Sequence, residues 1–372
     1  MHRPLLMTEN ELLALLTLQR IPNLGDASIK KLIRHTGSAE GLFNEKTVNL
    51  LRIDGIGTHK IKELHETAHK RAAEAELKFI KDNAIKYCSY TDTDYPDRLR
   101  HCIDGPILLF KRGNIDFSNR RMLSIVGTRQ VTAHGIAQTQ KLIEELAVLN
   151  PVIISGFAYG VDIAAHRAAV QNNLQTIAVV AHGLNQIYPK AHKKYMEEVE
   201  KNGGFISDFW SSDPFDRKNF LRRNRIIAGM SEATIVIESA AKGGSLVTAD
   251  IANSYNREVF AMPGRPGDSQ SIGCNNLIKR QKAHLMTSVA DIVYMLNWNL
   301  DEDLAPVQKQ LFVDLNPEEE RLYEFLNKNG KEELDFIALH CDFPTYKTAG
   351  LLLNMEIKGV VRPLPGKRFE LT

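Results

Sequence analysis

The sequence predicts an α/β fold in which a parallel sheet is covered by helices on both faces. Between Met122 and Phe260, short apolar runs alternate with helix-like segments. The runs are β-branched and apolar throughout, which is typical of strands that are buried on both faces. Nearly every run ends in a Gly-rich polar turn. Because ligands bind beyond the carboxyl ends of such strands, we expect the functional site at that edge of the sheet.

The predicted core covers residues 81–298. Its central strands are Met122–Val126, Val152–Ser155, Ile177–Ala181, Phe205–Ser207, Thr234–Glu238 and Glu258–Ala261. Two further runs, Ala84–Cys88 and Ile107–Phe110, extend this sheet. Helices are predicted after the N-cap Thr132, after Asp162, over Phe220–Met230 and from Ser245. The core closes with Leu277-Ile278, Ala283–Leu285 and a helix that reaches Leu296.

Composition sets only broad limits on function. The chain has 372 residues, 43% of them hydrophobic and 25% charged, which predicts a globular protein of two or three domains. A formal net charge of +2 neither requires nor excludes a nucleic-acid partner. The four cysteines are widely separated, so neither disulfides nor zinc are expected and a reducing cytosol is favoured. The sequence shows neither a membrane span nor a signal peptide.

Residues 1–80 are predicted to form a small domain of short helices. The turn Ile53-Asp54-Gly55-Ile56-Gly57 lies between two helical patterns and resembles the hairpin of helix-hairpin-helix or SAM-like modules. Backbone N–H groups of such a turn can contact a DNA phosphate. We favour the simpler alternative, a turn that only joins two helices, because the motif is short.

The C-terminal part is predicted to be a linker, 299–311, and a winged-helix-like domain, 312–372, made of three helices and a hairpin. A recognition helix that enters a DNA groove is expected to be basic. The third helix, Thr345 to Lys358, offers only Lys347 and Lys358 as cations. Protein docking is therefore an equal alternative to DNA binding for this domain.

Two turns at the strand ends have the composition of anion sites. Gly127-Thr128-Arg129 combines a flexible backbone, a hydroxyl and a guanidinium that can grip phosphate. Gly243-Gly244-Ser245 places backbone N–H groups at the start of a helix, where the dipole favours an anion. Either turn alone could serve only strand-to-helix packing, but the pair favours a ligand with several phosphates.

A basic segment adds positive charge to this edge. Arg222, Arg223 and Arg225 lie on one predicted helix, and Lys190 follows the third central strand. A phosphodiester chain needs such a groove of cations. The alternative is that the arginines pair with acidic residues, and we expect at least one of them to pair with Asp208, Asp213 or Asp216.

The sequence shows no convincing catalytic constellation. His166 and His182 lack a metal-ligand spacing, and a structural role is favoured for both. Neither a Walker A loop nor a Gly-x-Gly-x-x-Gly loop follows a strand, so no cofactor is expected. Asp162 and Glu238 are candidate acids, but Asp162 also suits an N-cap and Glu238 a strand-end hydrogen bond.

Taken together, these motifs resemble the DprA/Smf family of DNA-processing proteins. The resemblance covers the core from about Asp94 to Leu296. The motifs that carry it are Ser124–Arg129, Ser155–Asp162 with Ala165-His166, Arg223–Ile227, Glu238 with Gly243–Ala249, Val259–Gly264 and Gly273–Ile278. The sequence departs from the family pattern at Asn185, His192, Leu221 and Gly243.

The resemblance implies an extended Rossmann-like core that binds single-stranded DNA without cleaving it. It also implies a cytoplasmic homodimer, joined through that core, that protects incoming strands and loads RecA on them during natural transformation. By position, Gly127, Thr128 and Arg129 would form a phosphate pocket and Lys190 would line the DNA path. Gly243, Gly244 and Ser245 would donate backbone hydrogen bonds, while Arg223, Asn224 and Arg225 would contact DNA or support the pocket.

Two alternatives to a non-catalytic DNA-binding protein stay open. A related Rossmann-like group, the nucleoside-monophosphate phosphoribohydrolases, hydrolyses nucleotides with a Pro-Gly-Gly-x-Gly-Thr loop. Here Lys242-Gly243-Gly244-Ser245 lacks the Pro and Thr of that loop, which counts against this alternative. The other alternative is an adaptor whose main ligand is another protein.

Overall fold

The computed structural model describes residues 7–118, 121–298, 315–358, 360–364 and 367–371. The chain divides into two units, Met1–Leu300 and Asp301–Thr372. The predicted linker 299–311 lies outside the described residues, and so do Pro365 and Gly366 of the predicted hairpin turn. In the described part of the chain, no helix combines the length and apolarity needed to cross a membrane.

The N-terminal part of the first unit is helical, as predicted. Its helices are α1 (Glu9–Arg20), α2 (Asp26–Thr36), α3 (Ala39–Asn44), α4 (Thr47–Leu50), α5 (Thr58–Ile61) and α6 (Thr67–Asp82). The Gly-rich turn joins α4 to α5. Lys60 Nζ donates to Gly55 O at 2.8 Å, and Lys31 Nζ donates to Asp54 O at 3.2 Å. Because both cations bond to the turn itself, the structure favours a packing role for it.

A large, mostly parallel sheet forms the core, which confirms the predicted α/β class. Its strands are β1 (Lys86–Ser89), β2 (Leu108–Gly113), β3 (Met122–Val126), β4 (Val152–Ser155), β5 (Thr176–Val179), β6 (Gly203–Ser207), β7 (Ala233–Val236), β8 (Glu258–Ala261) and β9 (His284–Leu285). Their order within the described residues is β1-β2-β6-β5-β4-β3-β7-β8-β9. The strands from β6 to β9 run parallel, while β1 and β2 form an antiparallel edge.

The chain order reverses between β3 and β7. From β3 the chain winds outward through β4, β5 and β6, whereas from β7 it winds the other way through β8 and β9. The two strands are in register, with Ile125 opposite Ile235 and Val126 opposite Val236. Loops that leave such a switch point diverge and open a crevice, which is where ligands bind in sheets of this type.

Helices connect the strands of the core. They are α7 (Asp97–Arg100), α8 (Ala133–Leu146), α9 (Val161–Gln171), α10 (Met196–Lys201), α11 (Arg217–Met230), α12 (Gly244–Ser254), α13 (Ile272–Lys279) and α14 (Val289–Met295). Helix α11 begins at Arg217, earlier than the predicted Phe220, because the Asp216 side chain caps it by accepting from Lys218 N at 2.8 Å. Leu277 and Ile278 belong to α13.

Both faces of the sheet are buried, as the uninterrupted apolar runs predict. Successive residues of β4 show this, because Ile153 packs with α8 and α9 residues and Ile154 packs with α11 and α12 residues. The N-terminal helices share a third cluster with the β2–β6 end of the sheet, which includes Leu108, Phe110 and Phe205. The helical domain is therefore packed on the core through continuous apolar contacts.

The second unit has the element order of a winged helix. It comprises α15 (Pro317–Asn329), β10 (Glu332–Glu333), α16 (Leu334–His340), α17 (Thr345–Ile357), β11 (Val361–Leu364) and β12 (Arg368–Leu371). Both lysines that the sequence places in or directly after α17 make ion pairs with α15. Lys347 Nζ lies 2.6 Å from a Glu318 oxygen, and Lys358 Nζ lies 2.6 Å from a Glu319 oxygen. These pairs weaken the case for groove binding by α17.

A buried histidine gives the core a pH dependence. His166 on α9 is inaccessible to solvent, and its Nδ1 lies 2.7 Å from Thr176 Oγ1 on β5. Burial, with the positive charge of Arg223 as a smaller cause, lowers the pKa of His166 to about 3. In the unfolded chain, a histidine has its ordinary pKa of about 6.5. Between these pH values the unfolded chain binds the additional proton, so stability decreases as the pH falls.

We expect the free energy of unfolding to fall by about 2 kcal/mol between pH 7 and pH 5 from His166 alone. Urea unfolding followed by the fluorescence of Trp210 and Trp298 measures this change. The variant His166→Gln should show a flatter pH dependence, whereas His134→Asn, at an exposed position on α8, should keep that of the parent. An unchanged slope in His166→Gln would contradict the assignment.

Candidate nucleic-acid interface

An open cleft of about 590 Å³ lies at the carboxyl ends of β3 and β7. It occupies the switch point, so both predicted anion turns reach it. Its lining residues include Gly127, Thr128, Arg129, Ala158, Asp162, Tyr188, Phe215, Arg217, Phe220, Leu221, Arg223, Asn224, Lys242, Gly243, Gly244 and Ser245. The structure therefore brings together eight of the predicted site residues, all except Lys190 and Arg225.

Close packing positions the turn after β3. A Cβ atom on Gly127 would lie 2.4 Å from Val161 Cγ2, so only glycine fits against α9. Thr128 N donates to Glu238 O at 2.8 Å, which links the turn to the end of β7. Gly160 has a φ of +81°, and a Cβ there would lie 2.1 Å from Thr128 O. These contacts hold the backbone on which Arg129 stands.

Arg129 is exposed at the mouth of the cleft. Its Cζ atom lies 5.2 Å from the centre of the Phe220 ring, a cation–π contact that orients the guanidinium. Among the described residues, none of the ion pairs involves Arg129. Its hydrogen-bond donors are therefore available to a phosphate ligand.

The second turn leads into α12. Gly243 occupies the N-cap position and, as glycine, has no side chain that could satisfy the first amide groups of the helix. Those amides and the helix dipole favour an anion at this end. Asn224 Nδ2 donates to Gly244 O at 3.3 Å, and Ser245 Oγ donates to Ser239 Oγ at 3.1 Å. The turn is thus fixed to α11 on one side and to the end of β7 on the other.

Arg223 lies beneath the cleft as a buried cation. Its Nη1 donates to Gly156 O at 2.7 Å and also to Val179 O, so it joins the ends of β4 and β5. Burial is the main cause that lowers the pKa of Arg223 to about 10, and the Asp162 carboxylate opposes that shift. A Cβ on Gly156 would lie 2.4 Å from the Arg223 guanidinium. Arg223 therefore supports the floor of the cleft.

Asp162 is buried near Arg223 and carries the opposite charge. Burial raises its pKa, and the Arg223 charge and the Ala158 N–H oppose this rise. The predicted N-cap role of Asp162 is wrong, because Asp162 lies within α9. This helix starts at Val161, and its N-cap is Gly160. Instead, the Asp162 carboxylate accepts from Ala158 N at 3.3 Å.

Arg222 and Arg225 point away from the cleft. Arg225 Nη2 makes ion pairs with Asp208 and, at 3.3 Å, with Asp26 of α2. Arg222 Nη2 lies 3.4 Å from Asp208 Oδ2. The expectation that at least one arginine pairs with an acidic residue is confirmed, and Arg225 does not line the cleft.

Lys190 also stands outside the lining residues. It is exposed and begins a 3-10 turn, Lys190–Tyr195, shortly after Tyr188, which does line the cleft. Lys190 follows the cleft residue Tyr188 by two positions in the chain, and its role in a DNA path stays a prediction.

The sequence analysis missed an aromatic cluster on one side of the cleft. The Tyr188 ring lies 4.8 Å from the Phe215 ring and 5.5 Å from the Phe220 ring, and Phe215 and Phe220 are 5.6 Å apart. Two exposed cations, Arg217 and Lys242, were missed as well. The alternation of Phe215 and Phe220 with basic residues is a usable sequence signal, but nothing in it connects Tyr188 to them.

Glu238 has a structural role at the strand end, as the sequence predicted. Its carboxylate accepts from Thr132 N at 2.9 Å and from the Thr132 hydroxyl. Thr132 in turn caps α8 by accepting from Gly135 N at 3.0 Å. Glu238 bonds to Thr132 and Asp162 accepts from Ala158 N, so the two candidate acids of the hydrolase alternative both have structural partners.

Comparisons with known proteins identify relatives of this chain. The family model described as DNA recombination-mediator protein A matches residues 86–297. The DNA processing protein DprA of Streptococcus pneumoniae is 38% identical over 205 residues, which cover 55% of this chain and 72% of that protein.

Solved structures show the same fold. The X-ray structure of DprA from S. pneumoniae aligns with a TM-score of 0.64 at 31% identity, covering 78% of this chain and 98% of that chain. A structure of DNA processing protein A from Helicobacter pylori, described for its single-stranded DNA binding mode, aligns with a TM-score of 0.51 at 27% identity and covers 57% of this chain and 95% of that one. Because the family model matches more than half of the sequence, this chain belongs to the family of DNA recombination-mediator protein A, the DprA/Smf family.

Proposed function

We propose that the cleft binds single-stranded DNA without cleaving it. The observation that carries this proposal is that phosphate-binding groups and exposed aromatic rings open into one cleft. Arg129 and the first amides of α12 would hold phosphate oxygens, as helix N-termini and guanidinium groups do elsewhere. The single-stranded DNA binding mode described for the H. pylori relative supports the same assignment.

The aromatic cluster favours a single strand over a duplex. Tyr188 is 36% exposed and Phe215 48% exposed, so ring faces are accessible from the cleft. Bases can stack on such rings only when they are unpaired, and stacking accepts every base. Binding should therefore tolerate any sequence and exclude intact duplex.

The charges of the lining fit a phosphodiester. Arg129, Arg217 and Lys242 are exposed cations, whereas Asp162 is buried against Arg223. Each cation that replaces a condensed counterion makes binding weaker as salt rises. Three such contacts correspond to a slope of roughly −2 in a plot of log K against log salt for a single strand.

The full-length protein should bind a fluorescent oligothymidylate much more tightly than a duplex of equal length. Fluorescence anisotropy across a series of salt concentrations measures both affinities and the slope. Equal affinity for single and double strands, or a slope near zero, would contradict the proposal.

Replacing Arg129 with alanine should weaken single-strand binding by about 1.5–3 kcal/mol, roughly 10- to 150-fold, because a charged hydrogen-bond donor to phosphate is lost. Arg71→Ala, at an exposed arginine on α6, is the matched control and should bind like the parent. Unchanged binding by a folded Arg129→Ala protein would rule out the phosphate assignment.

We extend the proposal to the wider role that the family suggests. The protein would protect incoming single strands and load the recombinase RecA on them during natural transformation. It would act in the cytoplasm, without a cofactor, as a homodimer joined through the sheet core. The description of the matching family as a recombination mediator supports this role.

A direct contact with RecA should survive removal of DNA. Tagged protein should therefore retain RecA after nuclease treatment, and the Arg129→Ala variant should retain it equally well, because that residue is assigned to DNA. Loss of RecA in the nuclease-treated sample would show that only shared DNA joins the two proteins.

A further inference from the structure

We propose that the N-terminal helices position the aromatic side of the cleft. They would do so through the segment Asp208–Asp213, here called the clamp loop, which follows β6 and precedes α11. The inference rests on the proposed function, because it assigns the helical domain a role in base binding. The clamp loop contacts the helical domain on one side and the two aromatic segments of the cleft on the other.

On its first side, the clamp loop is held by α1 and α6. The carboxylate of Glu76 on α6 accepts from Ser211 N at 2.8 Å and from Ser211 Oγ at 2.6 Å. Gln19 Oε1 on α1 accepts from Trp210 Nε1 at 2.8 Å. Arg20 adds an ion pair to Asp213 at 2.8 Å and lies over the Trp210 ring at 4.8 Å.

The contacts of Glu76 and Trp210 are shielded from water, whereas the Arg20–Asp213 ion pair is exposed. Glu76 is 4% exposed and Trp210 is 2% exposed. Removing one partner of a buried hydrogen bond leaves the other unsatisfied, and that costs more than the bond contributes. The clamp loop therefore has little freedom to move while the helices stay in place.

On its second side, the clamp loop bonds to the segment that leads to Tyr188. Asn185 Nδ2 donates to Ser211 O at 3.0 Å, and Gln186 Nε2 donates to Asp213 O at 3.5 Å. An amide at position 185 can donate to this carbonyl, whereas a carboxylate cannot. Position 185 is also one at which the sequence departs from the family pattern.

The clamp loop continues directly into the other aromatic segment. Phe215 lies just after Asp213, and α11 then supplies Arg217 and Phe220 to the cleft. The ion pair of Arg225 with Asp26 of α2 ties the far face of α11 to the same helical domain. Both the Tyr188 segment and the Phe215–Phe220 segment therefore depend on contacts with residues 1–80.

The two backbone turns on the phosphate side of the cleft have separate supports. The turn after β3 is held by Gly160 and Glu238, and the turn before α12 is held by Asn224 and Ser239. Neither turn bonds to the clamp loop in the described part of the chain. The Arg129 side chain contacts Phe220, and Arg217 lies on α11, so part of the phosphate binding also involves the aromatic segment. Loosening the clamp loop should therefore weaken the binding of bases more than the binding of phosphates.

An experiment on the 372-residue chain can separate the binding of bases from the binding of phosphates. The probes are a fluorescent oligothymidylate and an abasic oligonucleotide of the same length, which keeps the phosphates and lacks the bases. The parent protein should bind the oligothymidylate at least about tenfold more tightly, since stacking of one base contributes roughly 1–3 kcal/mol. Two variants, Glu76→Ala and Asn185→Asp, should lose most of this preference, while their affinity for the abasic probe falls by a much smaller factor than their affinity for the oligothymidylate.

Matched controls distinguish positioning from general damage. Glu11→Gln alters a carboxylate that caps α3 within the helical domain, where it accepts from Ala39 N at 2.7 Å. Asn83→Asp makes the same chemical change as Asn185→Asp at an exposed asparagine that donates to Phe79 O at 2.9 Å. Both controls should keep the parent preference for bases. Since Asn185 is exposed, Asn185→Asp decides the test if Glu76→Ala does not fold.

Three results would overturn the inference: an unchanged preference in Asn185→Asp, equal weakening of both probes in that variant, or a parent protein without preference for bases. A parent protein that binds neither probe would overturn the proposed function itself, and the inference with it. The two failures are therefore distinguishable.

Discussion

The buried guanidinium of Arg223 is the constraint on which the cleft depends. It donates to backbone carbonyls at the ends of β4 and β5, and Asp162 supplies the balancing charge. A buried ion of this kind is costly to desolvate. Removing the groups that compensate its charge is strongly destabilising, because the charge would then stay buried without compensation. The lack of a side chain at Gly156 leaves space beside it for both the guanidinium and the Asp162 carboxylate.

Helix α11 connects Arg223 to several other parts of the first unit. Consecutive residues of a helix point about 100° apart, so adjacent side chains serve different faces. Arg223 and Asn224 face the cleft and its supporting strands, while Arg222 and Arg225 face Asp208 and the helical domain. One helix thus connects the glycine-rich turn before α12, the sheet and the N-terminal helices.

The cleft has two sides that are built differently. Its phosphate side consists of tight turns at the ends of β3 and β7, whose geometry comes from glycine packing and backbone hydrogen bonds. Its aromatic side consists of Tyr188 and Phe215 on loops and Phe220 near the start of α11, which need contacts from outside the sheet to hold them. A ligand with a regular phosphate backbone and variable bases matches this division. The phosphate backbone has a regular geometry that tight turns can hold, whereas the bases vary.

The sequence by itself determined the α/β class, the strands and the two glycine-rich turns that we propose to bind phosphate. Those features depend on local patterns: β-branched apolar runs, glycines at their ends, and the rule that parallel strands end at one edge. Only the tertiary structure decided that Arg223 lies below the cleft, that Arg225 faces Asp26, and that Tyr188 joins Phe215 and Phe220. These outcomes depend on partners that are distant in sequence, and neither helical periodicity nor composition specifies which partner a side chain meets.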